Sequence, residues 1–343
     1  MKKIYLILLF LIICGCGKSN DKLYEKYDDE YYKIYTPYKE RVGSYSLKTV
    51  NSINLEEAEL VLMDLSKEYF DLDKLYYQEG QYLDNEFLKE LLVSVNDFEE
   101  IKVSNNIIKP NYITAILEQN YLNEEGNLNG ISLGIVLNPY QSYTNTYGAT
   151  VYKNVLEEKV IAYAKDKIES ILSSIRKKYD LNDIKIMVGL FIQSKPDNYL
   201  PGTYREYGIT NDNNVNFKDV DYEYHDLDNI SDIDSDNYEV YLDLKEKLSS
   251  LVSNIYISSY GLYKNNSMHK MIINITYNST NRSTVLYLNQ VLSKEIIPNF
   301  GSNINIKVYI KNNNDITSIL FKEKNSVQST IYLVDWLKDK IIV

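Results

Sequence analysis

Cysteine is nearly absent from this sequence. Of 343 residues only Cys14 and Cys16 are cysteines, and both stand near the amino terminus. No later pair exists to form a disulfide or a cysteine zinc site, so everything after residue 16 must be held by packing, hydrogen bonds and charge. Histidine is as scarce, with only His225 and His269, far apart and without the spacing of a ligand pair. There is no HExxH helix, no Walker-type phosphate loop and no GxGxxG turn, so no cofactor pattern is legible. Positive charge is in deficit. The 37 Lys and Arg stand against 48 Asp and Glu, a net charge of −11, which argues against nucleic acid as partner and against electrostatic adhesion to anionic lipid. The apolar run Ile4–Cys14 is too short to span a bilayer as a helix.

What is present begins with that run. Lys2 and Lys3 precede it, and it closes on Ile13-Cys14-Gly15-Cys16. This is the layout of a secretory signal peptide ending in a lipobox, with a branched residue three places before the acceptor cysteine and a small one directly before it. Cys14 fits worse as acceptor, because Ile13 would then fill the small-residue position. Cleavage by the signal peptidase and acylation by the lipidation machinery leave Cys16 as the first residue. Two acyl chains suffice for stable anchoring at the outer face of the cell membrane.

The organisation expected from the chain is a signal peptide at 1–15, a lipid-anchored tether at 16–47 and an N-terminal α/β lobe at 48–210. An acidic surface connection at 211–236 and a C-terminal α/β lobe at 237–343 follow. Asn54-Leu55-Glu56-Glu57 offers a helix cap, and the apolar spacing after it predicts a helix near 54–70. Glu79-Gly80-Gln81 reads as a turn, and further helices are expected near 84–94 and 111–120. Ile131–Leu137 is an apolar strand, then Val155, Val160, Ala164, Ile168, Ile171, Ile175 and Tyr179 mark one face of a long helix, then Ile184–Ile192 is a strand again. Strand, long helix, strand implies a crossover between parallel strands. The order recurs with Met271–Ile275, a helix through Val285, Leu288, Leu292 and Ile296 ended by Pro298, and the alternating strand Ile304–Ile310. A helix near 238–258 precedes this second unit, and strands near 316–322 and 329–334 add antiparallel partners. The fold class is α+β: two lobes, each with a strand–long helix–strand unit, extra antiparallel strands at the carboxyl end and a helical amino-terminal part.

Candidate chemistry is sparse. Gly130-Ile131-Ser132-Leu133-Gly134 matches the G-x-S-x-G string of hydrolases, but the motif needs its serine on a turn between strand and helix. Here Ser132 falls inside a strand. Asp232-Ile233-Asp234-Ser235-Asp236, with Asp243 at the twelfth position, resembles part of a calcium loop. Asn237 replaces the turn glycine and Asp243 is shorter than the usual glutamate, so the segment reads rather as a solvated acidic loop. The 34 tyrosines against 8 phenylalanines follow more readily from an A- and T-rich coding sequence, which also favours the abundant Asn, Lys and Ile, than from function. The functional alternative is an envelope binding protein whose tyrosines line an inter-lobe cleft for peptide or glycan.

With these landmarks placed, the chain resembles the CamS-type sex pheromone lipoproteins of Gram-positive bacteria. The resemblance rests on Tyr35-Thr36-Pro37-Tyr38-Lys39-Glu40, Leu65-Ser66-Lys67-Glu68-Tyr69-Phe70, Tyr77-Gln78-Glu79-Gly80-Gln81-Tyr82-Leu83 and Ile116-Leu117-Glu118-Gln119. To these are added the strand Gly130–Leu137 and Leu200-Pro201-Gly202-Thr203-Tyr204. No one of these is very specific; their order along the chain is. The resemblance implies two products from one gene, a lipoprotein with no assigned catalytic residues and a short apolar peptide released from the end of the signal peptide. Here that stretch is Leu9, Phe10, Leu11, Ile12, Ile13, Cys14 and Gly15, and the resemblance implies a role in inducing conjugative plasmid transfer. Cys14 departs from the small residues usual at that place. The expectation is thus a non-enzymatic, membrane-anchored extracellular lipoprotein.

Overall fold

The structure, a computed structural model, describes residues 31–343 apart from 52, 97–99, 104, 105, 197, 280, 335–340 and 343. Leu9–Gly15 and Cys16 lie outside the described residues. In chain order the elements are β1 (Lys33–Ile34), α1 (Leu55–Ser66), β2 (Tyr76–Glu79), α2 (Asn85–Val95), β3 (Ile101–Val103), β4 (Asn106–Ile108), β5 (Ile113–Leu122), β6 (Leu128–Leu137), β7 (Tyr140–Thr144) and β8 (Thr150–Asn154). Then come α3 (Glu157–Tyr179), β9 (Lys185–Ile192), β10 (Thr203–Thr210), β11 (Lys218–Asp219) and β12 (Tyr222–Asp226). The remainder is α4 (Ser235–Leu251), β13 (Tyr256–Lys264), β14 (Ser267–Tyr277), α5 (Arg282–Asn299), β15 (Asn305–Asn312), β16 (Asp315–Lys322), β17 (Ser329–Leu333) and β18 (Ile341–Ile342). The chain is α+β.

Two seven-stranded sheets, ordered β1-β2-β5-β6-β9-β10-β11 and β12-β13-β14-β15-β16-β17-β18, carry the fold. The first sheet holds two parallel crossovers, the short one from β1 to β2 around α1 and a longer one, and the second sheet holds one. β6 and β9 pair in parallel around α3, with Gly134 opposite Gly189, and β14 and β15 pair in parallel around α5. A long helix is what lets a chain return to the same end of a sheet. Local signals place the helix starts. The Asn54 side chain accepts from the Glu57 amide at 3.2 Å, and that of Asp84 accepts from the Phe87 amide at 2.9 Å, as N-caps do. Pro298 stands inside the last turn of α5 rather than stopping it. Among the described residues no helix is long and apolar enough to cross a membrane.

Three apolar cores order these elements into layers. The first joins α2 and α3 to one face of the first sheet through residues such as Leu92, Ile171, Leu133 and Val188. In the second, α4 and α5 cover one face of the second sheet, with Val285, Leu288, Leu292 and Ile296 all fully buried. Between the sheets lies α1: Ala58, Val61, Leu62 and Leu65 share a core with Val136 and Met187 of the first sheet and with Tyr224, Tyr260 and Ile272 of the second.

That middle layer corrects the sequence reading at several points. Residues 111–120, expected as a helix, form most of β5, and every residue of β5 is buried. With α2 and α3 on one side and α1 on the other, both faces are covered, so the strand shows no clean period of two. The helix expected to reach 258 ends at Leu251, and Tyr256 already begins β13. Residues 211–236, expected as a surface connection, contain β12, and Tyr222, Tyr224, Leu227 and Ile230 are buried. The described end of the expected tether is docked as well: β1 pairs in parallel with β2, and the Leu47 amide donates to the Thr114 carbonyl at 2.8 Å.

The G-x-S-x-G string finds a packing explanation here. Gly130, Ser132 and Gly134 alternate onto the α1-facing side of β6. A Cβ on Gly130 would come within 2.0 Å of the Phe70 ring, and one on Gly134 within 2.6 Å of the Tyr204 hydroxyl. The glycines admit two large rings, and Ser132, fully buried, donates to the Tyr121 hydroxyl at 3.1 Å. Gly134→Ala is therefore expected to lower stability by about 1–3 kcal/mol through overpacking. Ser132→Ala should cost only about 1 kcal/mol. Urea denaturation midpoints read both, and the reverse order would contradict this account.

Candidate functional site

The two sheets meet where β10 lies near β12. There the Thr203 hydroxyl donates to the Tyr222 carbonyl at 3.0 Å. Away from that corner they are wedged apart by α1, and the wedge is electrostatic as well as apolar. Glu57 is buried, yet Lys270 of β14 donates to one carboxylate oxygen at 2.6 Å and Tyr224 of β12 donates to the other at 2.8 Å. One turn pair further along, Asp64 accepts from the Tyr222 hydroxyl, and Lys264 donates to the same hydroxyl at 2.9 Å. The acidic face of α1 thus meets a basic and phenolic face of the second sheet. Breaking a buried pair strands its partner, which is why such bonds are costly to cut one-sidedly.

Beyond α1 no described helix or strand covers the cleft-facing side of the second sheet. Together with α1 and residues 31–38 it bounds a cavity of about 910 Å³. Strand alternation supplies the floor. On β15, Ile306, Val308 and Ile310 turn to the helices, while Asn305 and Lys307 line the cavity, and Ile319 and Phe321 of β16 join them. Along the rim stand Tyr31, Tyr32, Tyr38, Tyr222 and Tyr332. Tyr32 fixes the amino-terminal wall. Its hydroxyl donates to the Phe70 carbonyl at 2.8 Å and lies 3.1 Å from the Ser66 hydroxyl, and its ring sits 5.0 Å from that of Tyr121. Arg41 holds the same segment by donating to Glu79 at 2.7 Å and pairing with Glu59 of α1. A smaller hollow of about 470 Å³ lies under residues 43–51 against β5.

Five lysines line the main cavity against three carboxylates. Lys270 is taken by Glu57, and Lys67 by Asp64 at 3.0 Å. Lys33, Lys307 and Lys324 have no carboxylate within ion-pair distance among the described residues; the Lys307 ammonium lies 5.7 Å from the centre of the Tyr309 ring. In a chain of net charge −11 this is a local basic surplus.

The sequence-derived candidates fall elsewhere. Ser132 is sealed in the first sheet. His225 lies on β12, edge-on to Tyr263 at 5.1 Å and 3.4 Å from Glu223, and His269 lines the cavity. The acidic segment does not form a calcium loop. The chain is helical from Ser235 onward, and the Asp234 carboxylate caps that helix through Asn237 and accepts from Tyr263 at 3.1 Å. Lys270, Lys307 and Glu57 were not singled out from sequence. Charged residues alternating along a strand or flanking a helix cap read as solvent-facing, and only the second sheet's position turns them inward.

The segments that carry the family resemblance meet in space. Glu118 accepts the amides of Gln81, Tyr82 and Leu83 at 2.9, 3.1 and 2.8 Å. This ties Tyr77–Leu83 to Ile116–Gln119. Phe70 lies over Gly130, and Tyr204 over Gly134.

Two outcomes test this geometry. Glu57→Ala should lower stability by about 2 kcal/mol, the part-exposed Lys270 moderating the buried-pair cost, with faster proteolysis in the β11–β12 connection. Unchanged midpoint and cleavage would refute the bridging role. The second concerns pH. Burial pushes the Tyr32 phenol up to about 12, with the Ser66 hydrogen bond opposing, against 10.0 for the free side chain. Burial also raises Tyr77 and Tyr224. The unfolded chain therefore loses these protons first, so stability is complete below pH 10 and falls as the pH rises towards 12. Urea midpoints at about pH 8 and about pH 11 check the sign.

A family model described as CamS sex pheromone cAM373 precursor matches residues 39–328. Among solved structures, the sex pheromone precursor from Lactobacillus salivarius subsp. salivarius UCC118 is 20% identical, with 92% of this chain and 99% of that chain covered and a TM-score of 0.78. The C-terminal domain of the sex pheromone staph-cAM373 precursor from Staphylococcus aureus is also 20% identical, covering 84% of this chain and 98% of that one, with a TM-score of 0.67. No curated protein matches the chain. At such identities the structural likeness speaks for the fold, while the family match spans most of the sequence. The chain belongs to the CamS sex pheromone precursor family.

Proposed function

We propose that the mature protein is a non-catalytic, membrane-anchored lipoprotein at the outer face of the cell membrane, and that it takes up a ligand in the cleft beside α1. The cavity carries the reading. It is about 910 Å³, within the range of roughly 300–1,000 Å³ usual for ligand sites, and its lining is aromatic, aliphatic and lysine-rich. The one serine in a nucleophile-like string, Ser132, is fully buried. Anchoring follows from the lipobox Ile13-Cys14-Gly15-Cys16. Cleavage before Cys16 releases the signal peptide, and a second hydrolysis, between Leu8 and Leu9, frees the apolar stretch Leu9–Gly15; membership of a family described as a pheromone precursor supports a signalling role for it.

Cys16→Ala should abolish incorporation of labelled palmitate and shift the protein out of the membrane fraction; retention in the membrane would sink the anchoring claim. Mass spectrometry of the culture medium should find Leu9–Gly15. Its absence from both medium and cells would remove the peptide product.

A further inference from the structure

An aromatic and aliphatic cavity with a surplus of ammonium groups suits a ligand with an apolar body and an anionic end. From these features we infer that the cleft binds an extended apolar peptide through its terminal carboxylate, and that the peptide is Leu9–Gly15 of the same chain. This rests on the reading that the stretch is released.

Three observations point this way. First, the charges are complementary. Cleavage before Cys16 gives Gly15 a free carboxylate, and Lys33, Lys307 and Lys324 line the cavity without a carboxylate partner among the described residues. An anion held by ammonium groups beside apolar walls is desolvated less wastefully than one left in the membrane. Second, the wall offers backbone. In the parallel ladder of β1 and β2, Lys33 and Ile34 stand opposite Tyr76 and Tyr77, and the Tyr35 amide donates to the Tyr77 carbonyl. The N–H and C=O of Ile34 therefore turn away from β2, towards a side on which no described strand pairs with β1 and an extended chain can add. Ile34 is 49% exposed and lines the cavity. Third, scale and place agree. Seven residues reach at most about 25 Å when extended, and their Leu, Phe and Ile side chains match the Ile319, Phe321, Leu60 and Leu262 surface. Fourteen residues lie between Cys16 and Tyr31 at the cavity wall, a reach of at most about 50 Å. The anchor thus keeps the cleft near the membrane into which so apolar a peptide partitions.

The test uses the mature chain with Cys16→Ser, which contains every described residue, and the synthetic peptide Leu-Phe-Leu-Ile-Ile-Cys-Gly, by calorimetric titration. One peptide is expected to bind per chain, with about tenfold weaker binding of its C-terminal amide. Lys307→Glu combined with Lys324→Glu should weaken the acid by a similar factor and erase the difference between acid and amide. Unchanged thermal melting shows that these surface variants fold. Equal affinity of acid and amide overturns the carboxylate anchor. No binding at about 100 µM, or binding of palmitate or an N-acetylglucosamine oligomer in place of the peptide, overturns the ligand assignment. Because the peptide is supplied, these results stand apart from whether cells release it, which the medium assay decides.

Discussion

One helix between two sheets sets the rest of this structure. α1 buries Ala58 and Leu62 completely in the shared core. It also places Glu57 where a lysine and a tyrosine of the second sheet meet it. A carboxylate in that position is tolerated because both oxygens are occupied, one by an ammonium and one by a phenol. The helix therefore shares an apolar core with both sheets and adds a charged contact to the second. The cleft lies beside α1, where no other described helix covers the second face of that sheet.

The first sheet shows how small residues serve large ones. Gly134 and Gly189 are register partners, and the Tyr204 ring lies over both. Gly130 does the same for Phe70, whose ring stacks on Tyr121 at 4.4 Å. Many of the tyrosines are thus core residues. Tyr112, Tyr121, Tyr204 and Tyr241 are fully buried, and of the five that line the cleft Tyr32 and Tyr222 also belong to the core between the sheets. An abundance of one residue type does not by itself mark a binding surface; position relative to the layers does.

Family segments that are separate in sequence prove to be mutual supports. The turn after β2 is closed by Glu118 from β5, and Arg41 joins the amino-terminal segment to both β2 and α1 through Glu79 and Glu59. Residues 31–38 are held against the first sheet by the β1–β2 ladder and by the Tyr32 hydroxyl on the Phe70 carbonyl, and that segment forms one wall of the cavity.

The sequence by itself determined most of the amphipathic helices, the Asn54 cap and the two long crossovers around α3 and α5, because each depends on local pattern: apolar residues every three or four positions, a side-chain acceptor before the first turn, a strand on either side. Tertiary structure alone decided what covers the second face of each sheet. Period-two alternation says that Asn305, Lys307 and Tyr309 share a face, but not whether that face meets water, α1 or a ligand. It likewise could not identify β5, whose two buried faces erase the alternation, nor bring Glu57 to Lys270 across 213 residues of chain. Those outcomes depend on how layers stack, and stacking is a property of surfaces formed only once the elements are in place.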